Sequence, residues 1–273
     1  MFVSSSPIDD SLVKGERFRF GNNWSKYIAK IDDRCIREAE KSLLEMIEGD
    51  GFKGKAFLDA GSGSGLFSLA ARNLGSRVYS FDYDPQSVKC ASTLKELYYE
   101  GDTNWQIETG SLLDEEYIRN LGKFDFVYCW GVLHHTGAMY EAMENISSNV
   151  KPDGWLCVAL YNDQGIFSKY WKFIKRQYVK YRWIRPFLIV VHLLYPVGPS
   201  ILIKVCRNKK MSRGMSAWYD LLDWLGGYPF ETCKPDEVLS FFKRRGFILE
   251  KLKTVGGKMG CNEFSFRKVI NSD

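Results

Sequence analysis

Several shortages bound what this 273-residue chain can be before any motif is read. Its seven cysteines, at 35, 90, 129, 157, 206, 233 and 261, include no C-x-x-C pair, and most sit beside apolar residues. That scatter argues against a disulfide framework and a zinc cluster, so no metal site is expected and a reducing cytoplasm is. The stretch MFVSSSPIDDSLVKGERF lacks a basic segment followed by an apolar one, so no secretory signal is expected. Internal repeats and low-complexity tracts are missing too, and 15% aromatic residues is more than a disordered chain tolerates. Long apolar runs are scarce. PFLIVVHLLYPVGPSILIKV has the length of a membrane span, but His192, Pro196, Gly198 and Pro199 interrupt it. Acid is the last shortage. Residues 164–219 hold twelve Lys/Arg and no Asp or Glu, which leaves 26 basic against 33 acidic residues for the rest. A modestly acidic body thus bears one basic segment, which points to an anionic partner more than the overall +5 does.

What is present alternates. Helical spacing runs over residues 24–47 (Ile28, Ile31, Cys35, Ala39, Leu43, Ile47). Short apolar strands are expected at 55–60, 77–82, 105–109, 124–129 and 154–161. Helices are expected from 65, over 85–98 with Pro85 in the first turn, and near 138–149. Strands alternating with helices argue for a parallel sheet covered on both faces. The alternation stops for about seventy residues. It resumes with a helix at 235–245 and strands at 247–254 and 262–268, a hairpin-like ending that predicts an antiparallel edge. The expected division is 1–54 as an N-terminal cap, 55–163 as the core, 164–231 as a basic aromatic insert and 232–273 as the rest of the core.

The chemistry concentrates in FLDAGSGSGLFSLAA, residues 57–71. Glycines after a buried strand let backbone amides approach a ligand closely, although they also build plain tight turns. A dinucleotide fingerprint wants G-x-G-x-x-G. Gly61 and Gly63 fit, but Leu66 stands at the third position, and Gly65 comes one place early. The pattern, with Asp59 ahead of it, resembles motif I of the class I S-adenosylmethionine (SAM)-dependent methyltransferases. Asp82 ends the second strand, where a carboxylate can accept both ribose hydroxyls or simply cap a helix. FDFVYCWGVLHHTG and VKPDGWLCVALY resemble the family's motif IV region and the strand after it, so the likeness covers residues 55–162.

The resemblance implies an α/β fold: a Rossmann-like seven-stranded, mostly parallel sheet with an antiparallel last strand, plus a helical insert before the last helix. It implies SAM as cofactor and S-adenosylhomocysteine (SAH) as product. By the same resemblance SAM is held by Asp59, Gly61, Ser62, Gly63, Gly65, Asp82, Tyr83, Ser111, Leu112 and Trp130. Ser111 is a departure, since many members carry Asp there for the adenine amine; Asp114 follows three residues later.

Methyl transfer needs positioning, and a base where the acceptor must lose a proton. His135 fills the L-x-H slot of the ubiquinone-pathway and sugar O-methyltransferases, which implies a general base or orienter; a helix cap or a bond to a backbone carbonyl is the plainer alternative. The D/N-P-P-Y/F signature of amide and base N-methyltransferases is replaced by Cys129-Trp130-Gly131-Val132. Asp220 and Asp223, three apart, share a helical face amid Trp218, Tyr219, Trp224 and Tyr228. They are weaker catalytic candidates for a sugar-like or amine-bearing acceptor, against a solvated helix face. Tyr161, Asn162 and Asp163 should border the same pocket, and Phe20, Trp24 and Tyr27 should form a lid or ordinary packing. The tail resembles that of a bacterial subfamily of unassigned substrate.

The insert places Phe167, Tyr170, Trp171, Ile174, Tyr178 and Tyr181 on one helical face, with Lys169, Lys172, Lys175, Arg176, Lys180 and Arg182 over the rest. Three readings stand: a helical cover over the acceptor pocket, an anionic membrane surface met through residues 164–213, or a nucleic-acid groove, which the apolar run disfavours. The expected activity is O-methylation of a hydroxyl on a small molecule or a lipid- or saccharide-linked acceptor. The expected place is the cytoplasm, including the inner face of the membrane. An RNA or protein methyltransferase and a non-catalytic SAM-binding scaffold are the alternatives, and the oligomeric state stays open.

Overall fold

The computed structural model describes residues 21, 31–47, 51–194 and 224–269. Seven strands form one sheet: β1 Ala56–Ala60, β2 Arg77–Asp82, β3 Trp105–Thr109, β4 Phe124–Trp130, β5 Val150–Tyr161, β6 Phe247–Lys253 and β7 Cys261–Lys268. Their order is β3-β2-β1-β4-β5-β7-β6. The first five pair in parallel, and β7 runs antiparallel to both neighbours, β5 and β6. The expected antiparallel edge therefore lies one place in. β7 inserts between β5 and β6, and β6 becomes the outermost strand.

The central strands β1, β4 and β5 are apolar on both sides because both sides are covered. Phe57, Phe126, Tyr128, Trp155 and Cys157 pack beneath α1 (Asp33–Met46) and α2 (Leu66–Asn73), together with Leu94 of α3 (Pro85–Tyr99). Leu58, Val127, Cys129, Leu156 and Val158 pack on the opposite face with Ile118 of α4 (Glu115–Asn120) and with α5 (Met139–Ser147). α4 has no counterpart in the sequence reading, since six residues with one fully buried apolar anchor give no periodic signal. β5 begins at Val150 rather than at 154: Val150 pairs with Phe124, and Asp153 takes a positive φ of 60° where the strand carries its irregularity.

Short polar caps set the helix starts. Asp84 accepts from the Gln86 amide ahead of Pro85, and Asp114 from the Tyr117 amide. α2 starts on Gly65 with no side-chain cap. The chain leaves β1 for α2 on one face and β4 for α5 on the other, so a crevice opens past the carboxyl ends of β1 and β4.

After β5 come α6 (Ile166–Lys180) and α7 (Arg185–Leu194), joined by a 3-10 turn at Arg182–Ile184. Tyr170 and His192 hydrogen-bond at 2.9 Å across the pair. α6 buries Trp171, Ile174 and Tyr178 as expected, but also Lys175, while Phe167, Tyr170 and Tyr181 stay exposed. Tyr181 follows the helix in extended backbone and so drops off its face. Beyond the insert, α8 (Pro235–Lys243) closes the sheet through Val238, Phe241 and Phe242. Among the described residues no helix is long and apolar enough to cross a membrane.

Candidate active site

Asp59, next to last in β1, is nearly fully buried and accepts from Ser68 Oγ at 2.5 Å. Ser68 Oγ lies 2.7 Å from Ser80 Oγ, which accepts from Trp105 Nε1 at 2.9 Å. The Ser68 proton is already given to the carboxylate, so Ser80 must donate to Ser68. The chain of donors therefore runs one way, from Trp105 on β3 through β2 and α2 into Asp59. Burial, with the Asp82 charge adding to it and the Ser68 bond opposing it, pushes the Asp59 carboxyl up to about 7.

Gly61 and Gly65 both take φ of +81°. A Cβ on Gly61 would sit 2.5 Å from the Val132 side chain, and one on Gly65 would sit 2.8 Å from the Ala91 side chain of α3. Neither site admits a larger residue, so the loop is held tight beneath β4 and α3. Ser62 Oγ in this loop is buried without a hydrogen-bond partner. At the end of β2, Asp82 accepts from the Gly63 and Asp84 amides, each at 2.9 Å. Burial pushes its carboxyl up to about 6, with those amides opposing. Tyr83 follows, half-buried.

Ser111 Oγ accepts from the Leu113 amide at 3.2 Å, and the Leu112 carbonyl accepts from Asn145 Nδ2 at 2.9 Å, which fixes the loop after β3. Asp114 is spent on capping α4. Trp130 ends β4, stacked on Tyr128 with centroids 5.4 Å apart and rings within 4° of parallel. Asp59, Gly61–Gly65, Asp82, Ser111, Leu112 and Trp130 thus converge on strand ends along one crevice. They fit SAM on three counts: a glycine loop with no room for side chains, an orphaned hydroxyl, and two acids whose burial leaves their negative charge in want of a cation.

A second group of chemistry-bearing side chains lies across β4. His134 and His135 form a 3-10 turn with Leu133. His134 is buried, its Nδ1 accepts from the Tyr161 amide at 3.3 Å, and burial holds it neutral, well below the ordinary histidine range. His135 Nδ1 lies 2.7 Å from the Pro229 carbonyl. A carbonyl only accepts, so Nδ1 carries the proton and Nε2 is the basic nitrogen of the neutral ring. The Tyr161 ring sits 3.8 Å from His134 and edge-on to His135 at 5.5 Å, and Trp224 and Phe230 pack on its other sides. Lys175 Nζ reaches this wall from α6, 4.1 Å from the Trp224 ring centroid, and donates to the Trp224 carbonyl.

Residues 229–233 return along β5: Cys233 N donates to Tyr161 O, Asp163 N to Cys233 O, and Glu231 N to His134 O, each at 3.0 Å. This return segment, bridged to Asn162 at Cys233, brings Pro229 to His135. The sequence pointed to His135 but not to its carbonyl partner, 94 residues away. A serine inside the apolar β2 was the available signal for the Trp105–Asp59 chain. Asn162 turns from the crevice to bond Asn262 and the carbonyl of Gly256, and Asp163 accepts from Thr232. Asp220, Asp223, Trp218, Tyr219, Phe20, Trp24 and Tyr27 lie outside the described residues.

Against known proteins, a family profile described as a methyltransferase domain matches residues 28–194. The chain belongs to that family. The class I SAM-dependent resemblance and the α/β fold are thereby borne out, and SAM is the cofactor the family uses. A ubiquinone biosynthesis O-methyltransferase from Colwellia psychrerythraea is 28% identical over 173 residues, 59% of this chain and 68% of that one. A ribosomal protein L11 methyltransferase from Prochlorococcus marinus is 31% identical over 125 residues, 44% of this chain and 37% of that one. The chain thus spans well under two thirds of the length of some of the curated relatives it matches. A magnesium protoporphyrin IX methyltransferase from Synechocystis, solved with bound SAH, superposes with a TM-score of 0.56 at 15% identity, covering 95% of this chain and all of that one. At that identity it shows the shared fold.

Proposed function

We propose that this methyltransferase moves a methyl group from SAM to a hydroxyl of a small, or lipid- or saccharide-linked, acceptor, with His135 as general base. The tautomer of His135 carries the reading. Its Nδ1 proton is committed to the Pro229 carbonyl, which in the neutral ring leaves the basic lone pair on Nε2, the atom we assign to receive the acceptor's proton. SAM, when bound, supplies an electrophilic methyl on a sulfonium. Asp59, the glycine loop and Asp82 hold it, with Ser111, Leu112 and Trp130 toward the base. His134, kept neutral by burial, packs 4.5 Å from His135 and adds no second positive charge when His135 takes a proton. Tyr161, Trp224 and Phe230 wall the acceptor side and keep water from the reacting hydroxyl. The missing amide-methylating signature after β4 and the O-methyltransferase relatives support the same acceptor type.

The test is label transfer from SAM into an extract of the source cells, with SAM affinity followed by calorimetry. His135→Ala should leave SAM affinity within about twofold and slow transfer ~10²–10⁴-fold, the usual contribution of a positioned base. Full transfer by the variant would remove His135 from the mechanism.

A further inference from the structure

The solvent face of the insert is apolar where a solvated helix should be polar. Trp183 is 80% exposed, Ile166 77%, Phe187 68% and Phe173 60%, with Tyr170 and Val190 also open to solvent. On α6, Ile166 and Phe173, two turns apart, share a side that faces away from the packed Trp171 and Tyr178, and Tyr170 sits at its edge, bonded to the buried His192. On the turn and α7, Trp183, Phe187 and Val190 do the same, opposite the buried Leu188 and His192. Lys169, Lys172, Arg176, Lys180 and Arg182 are exposed among them. No acid occurs from residue 164 to 219 to neutralise that charge. Lys175 does not belong to this face, because it is buried against Trp224.

Two properties choose the occupant. Aromatic side chains with interleaved cations match a bilayer interface, where rings enter the headgroup boundary and lysines meet anionic phosphates. A phosphate groove of nucleic acid would leave the Trp183–Phe187–Val190 stripe in water. Over the described residues these helices run 15 and 10 residues, shorter than a membrane span, so those segments would lie in the membrane plane.

We propose that α6 and α7 form an in-plane docking surface for an anionic phospholipid bilayer. The opposite face of α6 packs on Trp224 and Phe230 beside Tyr161, so docking holds the acceptor wall about one helix diameter, ~10 Å, from the lipid surface. An acceptor drawn from the membrane, or one with a long apolar tail, would reach that wall directly.

The experiment is cosedimentation of the full chain with phosphatidylglycerol–phosphatidylcholine vesicles and with pure phosphatidylcholine vesicles. Two variants leave the packed faces intact: Lys169→Glu/Lys172→Glu/Arg176→Glu, and Trp183→Ser/Phe187→Ser. Expected are binding to the anionic vesicles only, weakening with salt, and at least a tenfold loss in each variant with SAM affinity unchanged. Equal partition onto both vesicle types, no partition, or variants that bind like the parent would overturn the proposal. So would a concentration-dependent dimer that Trp183→Ser/Phe187→Ser abolishes without vesicle binding, since the face would then belong to a second copy. Vesicle binding by a chain that transfers no methyl would refute the hydroxyl-transfer reading and leave this one standing.

Discussion

Lowering the pH should weaken SAM binding far more steeply than the ordinary pKa of aspartate would suggest. Asp59 and Asp82 titrate near 7 and 6 because burial disfavours their anions. In the proposed binding mode both must be ionised, Asp59 beside a cationic ligand and Asp82 to accept ribose hydroxyls. At pH 5.5 a group with a pKa of about 7 is ionised roughly one part in thirty, and one of about 6 roughly one part in four. Together they lower affinity about 100-fold from its plateau above pH 8, or about 2.7 kcal/mol. Affinity thus rises with pH through the window from about 5.5 to 7.5. Titration calorimetry reads this directly. Near pH 6.5 binding should also release protons, seen as a dependence of the observed enthalpy on the buffer's ionisation heat. Asp82→Asn should weaken binding strongly and shallow the slope. A flat affinity over that range, or proton uptake on binding, would refute the reasoning.

The remaining expectations concern stability and the loop. The folded-state pKa of Asp59 is raised above its unfolded value, so its contribution is present below about pH 4 and lost as pH rises through about 7. In the absence of SAM the parent should lose up to about 4 kcal/mol relative to Asp59→Asn across that window, measured by denaturant midpoints. Ser68→Ala removes the hydroxyl donor to Asp59 while keeping the Ser68 amide, and should destabilise by about 1–3 kcal/mol, while Trp105→Phe, at the far end, should have a smaller effect. Gly61→Ala meets both a positive φ and the Val132 side chain, and should cost about 2–4 kcal/mol. Pairing it with Val132→Ala should recover part of that loss, and no recovery in thermal unfolding would discard the clash.

The fold was legible where pattern is local. Apolar strands such as AFLDA, the glycine spacing and the strand-end acids place β1, β2 and the cradle, because close backbone approach and burial leave few residue types that fit. β7 entering between β5 and β6 was not legible, since a hairpin and an insertion read alike in sequence. Lys175 went to the wrong side of α6 because a cation is ordinarily solvated; here its ammonium lies over Trp224 and Phe230, brought in from 49 and 55 residues away. Pro229 carries no sequence signal for its role, because it acts through a backbone carbonyl that only the return along β5 positions.

The most direct test is the chemical linkage of the transferred methyl. Label from SAM is transferred into an extract of the source cells, and the product is treated first with mild alkali and then with hot hydriodic acid. Transfer to a hydroxyl leaves an ether, so the label should survive alkali and leave as methyl iodide in the acid. Label lost to alkali as methanol would mean a carboxyl acceptor, and label retained through the acid would mean nitrogen or carbon. Either result, or no transfer at all, would contradict hydroxyl methylation with His135 as the base.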